Sequence, residues 1–265
     1  MLLDVHNLDK LFGGVAAVIG ASFGVAEGSI TALIGPNGAG KTTVFNLVSG
    51  FIRPDRGTVR FAGRDIAGAR GDAVARAGLV RAFQAPRVLT RMSVLENMML
   101  GAKDQPGERL SMSWFAPRRV AMREREIHAR ALEMLDLIRL SNLASDYAGT
   151  LSGGQRKLLE LGRALMSEPR MILLDEPMAG IAPVLGQQLL QHILDLRARQ
   201  MTVFVIEHDM DVVMSIADRV IVMDEGRVIA EGSPDEVQRD ERVIEAYLGR
   251  RGTFDAATPP AGRAS

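Results

Sequence analysis

The sequence predicts an α/β protein interrupted by a helical region, and three observations carry that prediction. Residues 35–43 (GPNGAGKTT) follow an apolar run at 29–34 and precede a helical run at 44–48. Strand, glycine-rich loop and helix in that order are the pattern of a phosphate-cradling loop. Two further apolar runs, 171–174 and 203–206, read as buried parallel strands with a helix from about Leu185 to Arg199 between them. From about Arg87 to Met166 the pattern is helical instead.

The N-terminal part, outside the phosphate loop and its helix, reads as strands at 2–8, 15–25 and 58–61. Gly13-Gly14, Glu27-Gly28 and Asp55-Arg56-Gly57 punctuate them. In the helical region, Ser93-Val94-Leu95-Glu96 is a capping box. Over 120–138, Ile127, Ala131, Met134, Leu135 and Ile138 recur at helical spacing, with Arg123, Glu124, Arg125, Glu126, Arg130 and Glu133 on the other face. That second face reads as solvated. Residues 220–223 and 228–230 flank Asp224-Glu225-Gly226-Arg227 and predict a hairpin. The expected organisation is an α/β core over 1–86 and 167–250 and a helical subdomain over 87–166. A disordered tail rich in small residues is expected over 251–265.

Composition narrows the function. The chain has 265 residues, 47% of them hydrophobic, with 32 basic and 32 acidic residues. That balance does not favour nucleic acid as a partner. The absence of cysteine excludes disulfides, thiolate metal sites and cysteine nucleophiles. The N-terminus does not read as a signal peptide. The longest soft run, 15–26, is too short to span a bilayer, so a membrane role would run through a partner.

Three motifs carry chemistry. In the first loop, Gly35, Pro36, Asn37, Gly38, Ala39 and Gly40 would wrap phosphate with backbone N–H groups, and the helix that follows adds its positive end. Lys41 supplies a point charge, and the Thr42 hydroxyl, followed by Thr43, is placed to hold Mg²⁺. In the second, Met171-Ile172-Leu173-Leu174-Asp175-Glu176 is a buried strand ending in two carboxylates. Asp175 suits Mg²⁺, and Glu176 suits an attacking water. In the third, Leu151-Ser152-Gly153-Gly154-Gln155 opens an amphipathic helix, with Ser152 as N-cap and two glycines exposing N–H groups. One nucleotide needs only one phosphate loop. A second phosphate-facing helix end therefore points to the nucleotide of another copy.

Phosphate loop, LSGGQ and a strand ending in Asp-Glu together resemble the ATP-binding cassette (ABC) family over residues 2–249. The resemblance implies a P-loop NTPase cassette with a RecA-like core, an N-terminal antiparallel β subdomain and an inserted helical subdomain. It implies ATP and Mg²⁺ as ligands and ATP hydrolysis coupled to transport. By the same resemblance Phe12 stacks on adenine with Val18 beneath the ring. Gln84 senses Mg²⁺ and the attacking water, and His208 contacts the γ-phosphate. Ala182 stands where the family usually has an aspartate, which puts the usual cross-dimer contacts of that loop in question.

Phe12-Gly13-Gly14, Met178-Ala179-Gly180, Glu207-His208-Asp209-Met210 and Ala246-Tyr247-Leu248-Gly249 look like ATPase subunits of branched-chain amino acid importers. Such a subunit would pair with a second ATPase chain, homo- or heteromeric. It would dock peripherally on two permease subunits at the cytoplasmic face of the membrane, be served indirectly by a substrate-binding protein, and have no nucleic-acid partner. Urea and short amides are alternative substrates, and a soluble ABC ATPase acting on nucleic acid or ribosomes is the alternative class. The sole tryptophan, Trp114, reads as packing in a surface loop, against the alternative of a lipid or permease contact.

Overall fold

The computed structural model describes residues 1–82, 88–103 and 117–248. Gln84, Trp114 and the 251–265 segment lie outside the described residues. The first elements are β1 (Leu3–Phe12), β2 (Val15–Val25), β3 (Ile30–Ile34), α1 (Lys41–Val48), β4 (Arg56–Phe61) and β5 (Arg64–Asp65). Next come α2 (Gly71–Arg76), β6 (Leu79–Ala82), α3 (Val94–Met99), α4 (Pro117–Leu137) and α5 (Gly153–Met166). The chain continues with β7 (Met171–Asp175), α6 (Pro183–Ala198), β8 (Thr202–Ile206) and α7 (Met210–Ile216). It closes with β9 (Arg219–Asp224), β10 (Arg227–Gly232), α8 (Pro234–Arg239) and α9 (Glu241–Leu248). Two compact units result: Met1–Gly68 with Ile206–Ser265, and Ala69–Val205.

The first unit holds an antiparallel sheet in the order β2-β1-β4-β5. Leu3, Val5 and Leu8 of β1 are buried with Ala21, Phe23 and Val25 of β2 and Val59 and Phe61 of β4. The spacing from Val5 to Leu8 breaks the two-residue alternation because Asn7 takes a left-handed backbone (φ 47°) and the register shifts there. The bulge lets β1 run on to Phe12, past the end at residue 8 that alternation alone predicts. In the same unit β3, buried along its whole length, pairs in parallel with β9, and β9 pairs antiparallel with β10. Glu225 (φ 43°) and Gly226 (φ 80°) form the hairpin turn, as the Asp224–Arg227 stretch predicts.

The second unit contains the strand run β8-β7-β6, with β6 and β7 parallel and Arg81 opposite Leu173. Helices α3, α4 and α5 pack on one another. Val94, Met98, Ile127, Ala131, Leu135, Ile138, Leu158 and Leu161 are buried among them. Each such fully buried Leu or Ile contributes about 2 kcal/mol relative to exposure. The predicted Ser93 capping box is present, with Glu96 bonding back to the Ser93 N–H at 2.7 Å. Beside it Asn97 is wholly buried: its side-chain amide donates to Leu89 O and Ser93 O and accepts from Leu89 N–H. Both amide protons and one oxygen lone pair are thus engaged, which is what permits an amide in that core. Among the described residues no helix is long and apolar enough to cross a membrane.

Candidate functional site

The phosphate loop lies in the first unit, between β3 and α1. Gly35 and Gly40 have φ of 146° and 98°, and a Cβ on either would run into a backbone oxygen, Met223 O or Ala17 O. Glycine is thus required there by both conformation and space. Gly40 is the N-cap of α1 and makes no side-chain cap bond, so the helix start is left for a ligand's acceptors. Lys41 is 7% exposed, and its Nζ donates to Gly35 O at 2.7 Å and Pro36 O at 3.0 Å. The ammonium is held over the loop by the loop's own carbonyls. Thr42 is exposed and Thr43 half-buried.

The hairpin turn braces this loop. Gly226 N–H donates to Ala39 O, and Gly226 O accepts from Ile19 N–H, tying the loop to β2. The Tyr247 hydroxyl of α9 is buried close to the Gly35 backbone and Asp224, and burial pushes its pKa above the ordinary phenol value. The C-terminal helix therefore reaches the entrance of the loop. At the far end of β1, Phe12 is about half exposed, with Lys10 Nζ 5.6 Å from its ring centroid. Lys10 is held by Asp55 at 2.8 Å, and this bond, with the Leu11 N–H, lowers the Asp55 pKa. Phe12 is thus an exposed aromatic backed by a cation. Val18, expected beneath an adenine ring, is 1% exposed and borders a cleft of about 340 Å³ with Leu11 and Ile19.

His208 is also in the first unit, exposed just before α7, while its neighbour Glu207 is wholly buried. Glu207 Oε2 accepts the His208 N–H at 3.3 Å and lies 3.9 Å from His208 Nδ1. Asp209 caps α7 by accepting from the N–H groups of Asp211 and Val212.

The second unit holds the paired carboxylates and the LSGGQ helix. Met171, Ile172, Leu173 and Leu174 are buried, and Asp175 stands at the carboxyl end of β7. Arg81 Nη2 donates to Asp175 Oδ2 at 2.5 Å, the two side chains being 4% and 12% exposed. Glu176 is exposed and left-handed (φ 47°), an unusual backbone for a glutamate. Its carbonyl is one of three bonded to Lys157 Nζ, with Pro177 O at 2.9 Å and Ala179 O at 2.6 Å. Lys157 thereby fastens α5 to the turn after β7.

Ser152 caps α5 as expected, and Gln155 closes a capping box by accepting the Ser152 N–H at 2.9 Å. The two glycines differ in purpose. A Cβ on Gly153 meets nothing within 4 Å, whereas one on Gly154 would lie 2.6 Å from Leu185 Cδ1. Gly153 leaves open space beside the helix start; Gly154 lets α6 approach. Ala182 is the N-cap of α6 and offers no side-chain acceptor.

Arg81 and Lys157 make contacts that no motif in the sequence marks. Arg81 meets a residue 94 positions away, and no local pattern marks such a pairing.

A family model for ABC transporters matches residues 18–179, and one for branched-chain amino acid ATP-binding cassette transporters matches residues 227–253. The probable branched-chain amino acid transport ATP-binding protein LivG of Methanocaldococcus jannaschii is 41% identical, covering 94% of this chain and 97% of its own. The high-affinity branched-chain amino acid transport ATP-binding protein BraF of Pseudomonas aeruginosa is 39% identical, covering 94% and 98%. A crystal structure of a nucleotide-free ATP-binding cassette from an ABC transporter superposes with a TM-score of 0.80 at 40% identity, covering 93% and 98%. The ADP conformation of an ABC transporter cassette gives 0.79 at 38%, covering 94% and 98%. The chain belongs to the ABC transporter family, as an ATP-hydrolysing cassette. Within that family it falls with the ATP-binding subunits of the LivG and BraF type.

Proposed function

We propose that this chain powers import of branched-chain amino acids by hydrolysing ATP on the cytoplasmic face of a membrane. The observation that supports it most is the separate match of residues 227–253 to the branched-chain subgroup, in addition to the cassette body. Of those residues, 227–248 form β10, α8 and α9, and the Tyr247 hydroxyl of α9 lies close to the Gly35 backbone of the phosphate loop.

In this reading two cassettes face head to tail. Each ATP lies between residues 35–43 of one chain and 152–155 of the other, joining two helix N-termini through one triphosphate. Phe12 stacks on adenine with Val18 nearby, Lys41 offsets phosphate charge, and Glu176 accepts a proton from the attacking water, which His208 orients. Thr42 and Asp175 would hold Mg²⁺, with Gln84 as a further ligand. These are hard oxygen donors, and among the described residues no three His, Cys, Asp or Glu cluster together. That donor set fits an ion that keeps waters and arrives with phosphate. When bound, Mg²⁺ would neutralise charge developing on the transferred phosphoryl group. Hydrolysis removes the γ-phosphate bridge and lets the pair open. Gln84 passes the change to two permease subunits, which a substrate-binding protein serves.

The test is reconstitution with the companion permeases, second ATPase chain and binding protein in liposomes. Leucine, isoleucine or valine with the binding protein should stimulate ATP turnover. Stimulation by urea or acetamide alone would reassign the substrate. Stimulation by RNA or ribosomes without membranes would overturn the transport reading.

A further inference from the structure

Arg81 takes no part in the chemistry outlined above, yet it is bonded to the carboxylate assigned to the metal. It sits on β6 opposite Leu173, two residues before Asp175 on the neighbouring strand. Its guanidinium donates to Asp175 Oδ2 at 2.5 Å with both side chains nearly buried. A guanidinium stays charged at every working pH, so this neutralisation is permanent as long as the contact lasts. In a poorly solvated position it cancels much of the field that a divalent ion would meet at Asp175. Arg81 also borders a cleft of about 220 Å³ together with Glu160, Arg163 and Ser167. The cleft beside Arg81, which Glu160 also lines, gives the guanidinium space if a cation draws Asp175 away.

We propose that Arg81 is a positioning residue of the divalent-cation site. By holding Asp175 Oδ2 it weakens the cation affinity of that carboxylate and keeps the ion exchangeable between turnovers. The inference rests on the assignment of Asp175 as a metal ligand, and the experiment separates the two.

Mn²⁺ is titrated into the full-length protein at saturating ADP near pH 8, and bound ion is read by electron paramagnetic resonance. Arg81→Gln and Arg81→Met, the latter keeping an apolar stem, should each bind Mn²⁺ about tenfold more tightly than the parent. Either variant suffices if only one folds. Arg81→Lys, which keeps the charge, should restore most of the parental affinity. Asp175→Asn should weaken binding, and adding Arg81→Gln to it should change nothing further. If Asp175→Asn weakens binding but Arg81→Gln and Arg81→Met leave it unchanged or weaker, the role given to Arg81 is wrong. If Asp175→Asn has no effect, the metal assignment itself fails, and the Arg81 proposal fails with it.

Discussion

Glu176 combines an exposed carboxylate with a left-handed backbone, directly after a strand buried on four consecutive residues. Lys157 bonds the carbonyls around it, which gives that conformation a physical support. Glu176→Gln keeps the size and loses the base. It should bind ATP at parental affinity, lower steady-state turnover by about 10²-fold or more, and accumulate the closed pair seen by size-exclusion chromatography with ATP. Normal turnover in that variant would remove Glu176 from its role. Lys41→Ala should weaken ATP binding about tenfold or more, read by fluorescent-nucleotide displacement, because it removes the ammonium that bridges Gly35 O and Pro36 O. Unchanged affinity would count against the loop's assigned function. Residues of this kind are legible in a sequence because the chemistry fixes their local spacing. Lys41 must follow its glycines, and Asp175 and Glu176 must end a strand. Arg81 is not legible, because burial and a partner 94 positions away define it.

At the scale of elements, legibility follows from how local each signal is. The capping boxes at Ser93 and Ser152 depend on four consecutive residues, and the structure contains both. The short helix α2 has one buried residue, Val74, and so shows no periodicity to read. The extension of β1 depends on a bulge at Asn7, which turns a regular alternation into an apparent end. Ala182 is an instructive exception. It has the extended backbone of an N-cap (φ −62°, ψ 144°), is exposed and precedes Pro183, but has no oxygen to cap α6. Ala182→Asp should raise stability by about 0.5–1 kcal/mol, measured by urea unfolding, by supplying the missing acceptor and a charge favourable to the helix dipole. No gain would show that the start of α6 is satisfied by other means.

At the scale of the molecule, buried polar groups make folding depend on conditions. His192 of α6 is 5% exposed, and neither ring nitrogen has a hydrogen-bond partner among the described residues. Burial, with a smaller push from Arg139 and against the pull of Asp195, lowers its pKa below the ordinary 6.5. The folded protein therefore prefers the neutral ring, while the unfolded chain takes up a proton as pH falls through about 6.5. Stability from this residue is complete above that pH and declines below it. His192→Leu should flatten the acid side of a plot of unfolding midpoint against pH; an unchanged slope would assign the acid sensitivity elsewhere.

The phosphate loop and the LSGGQ helix lie one in each compact unit. The central claim is that a nucleotide is shared between two chains. ATP turnover per chain, measured against protein concentration across the range where size-exclusion chromatography passes from monomer to dimer, tests it most directly. Turnover per chain should be low in the monomer, which still binds ATP, and should rise with the dimer fraction. A turnover independent of concentration in a preparation shown to be monomeric would contradict the shared site.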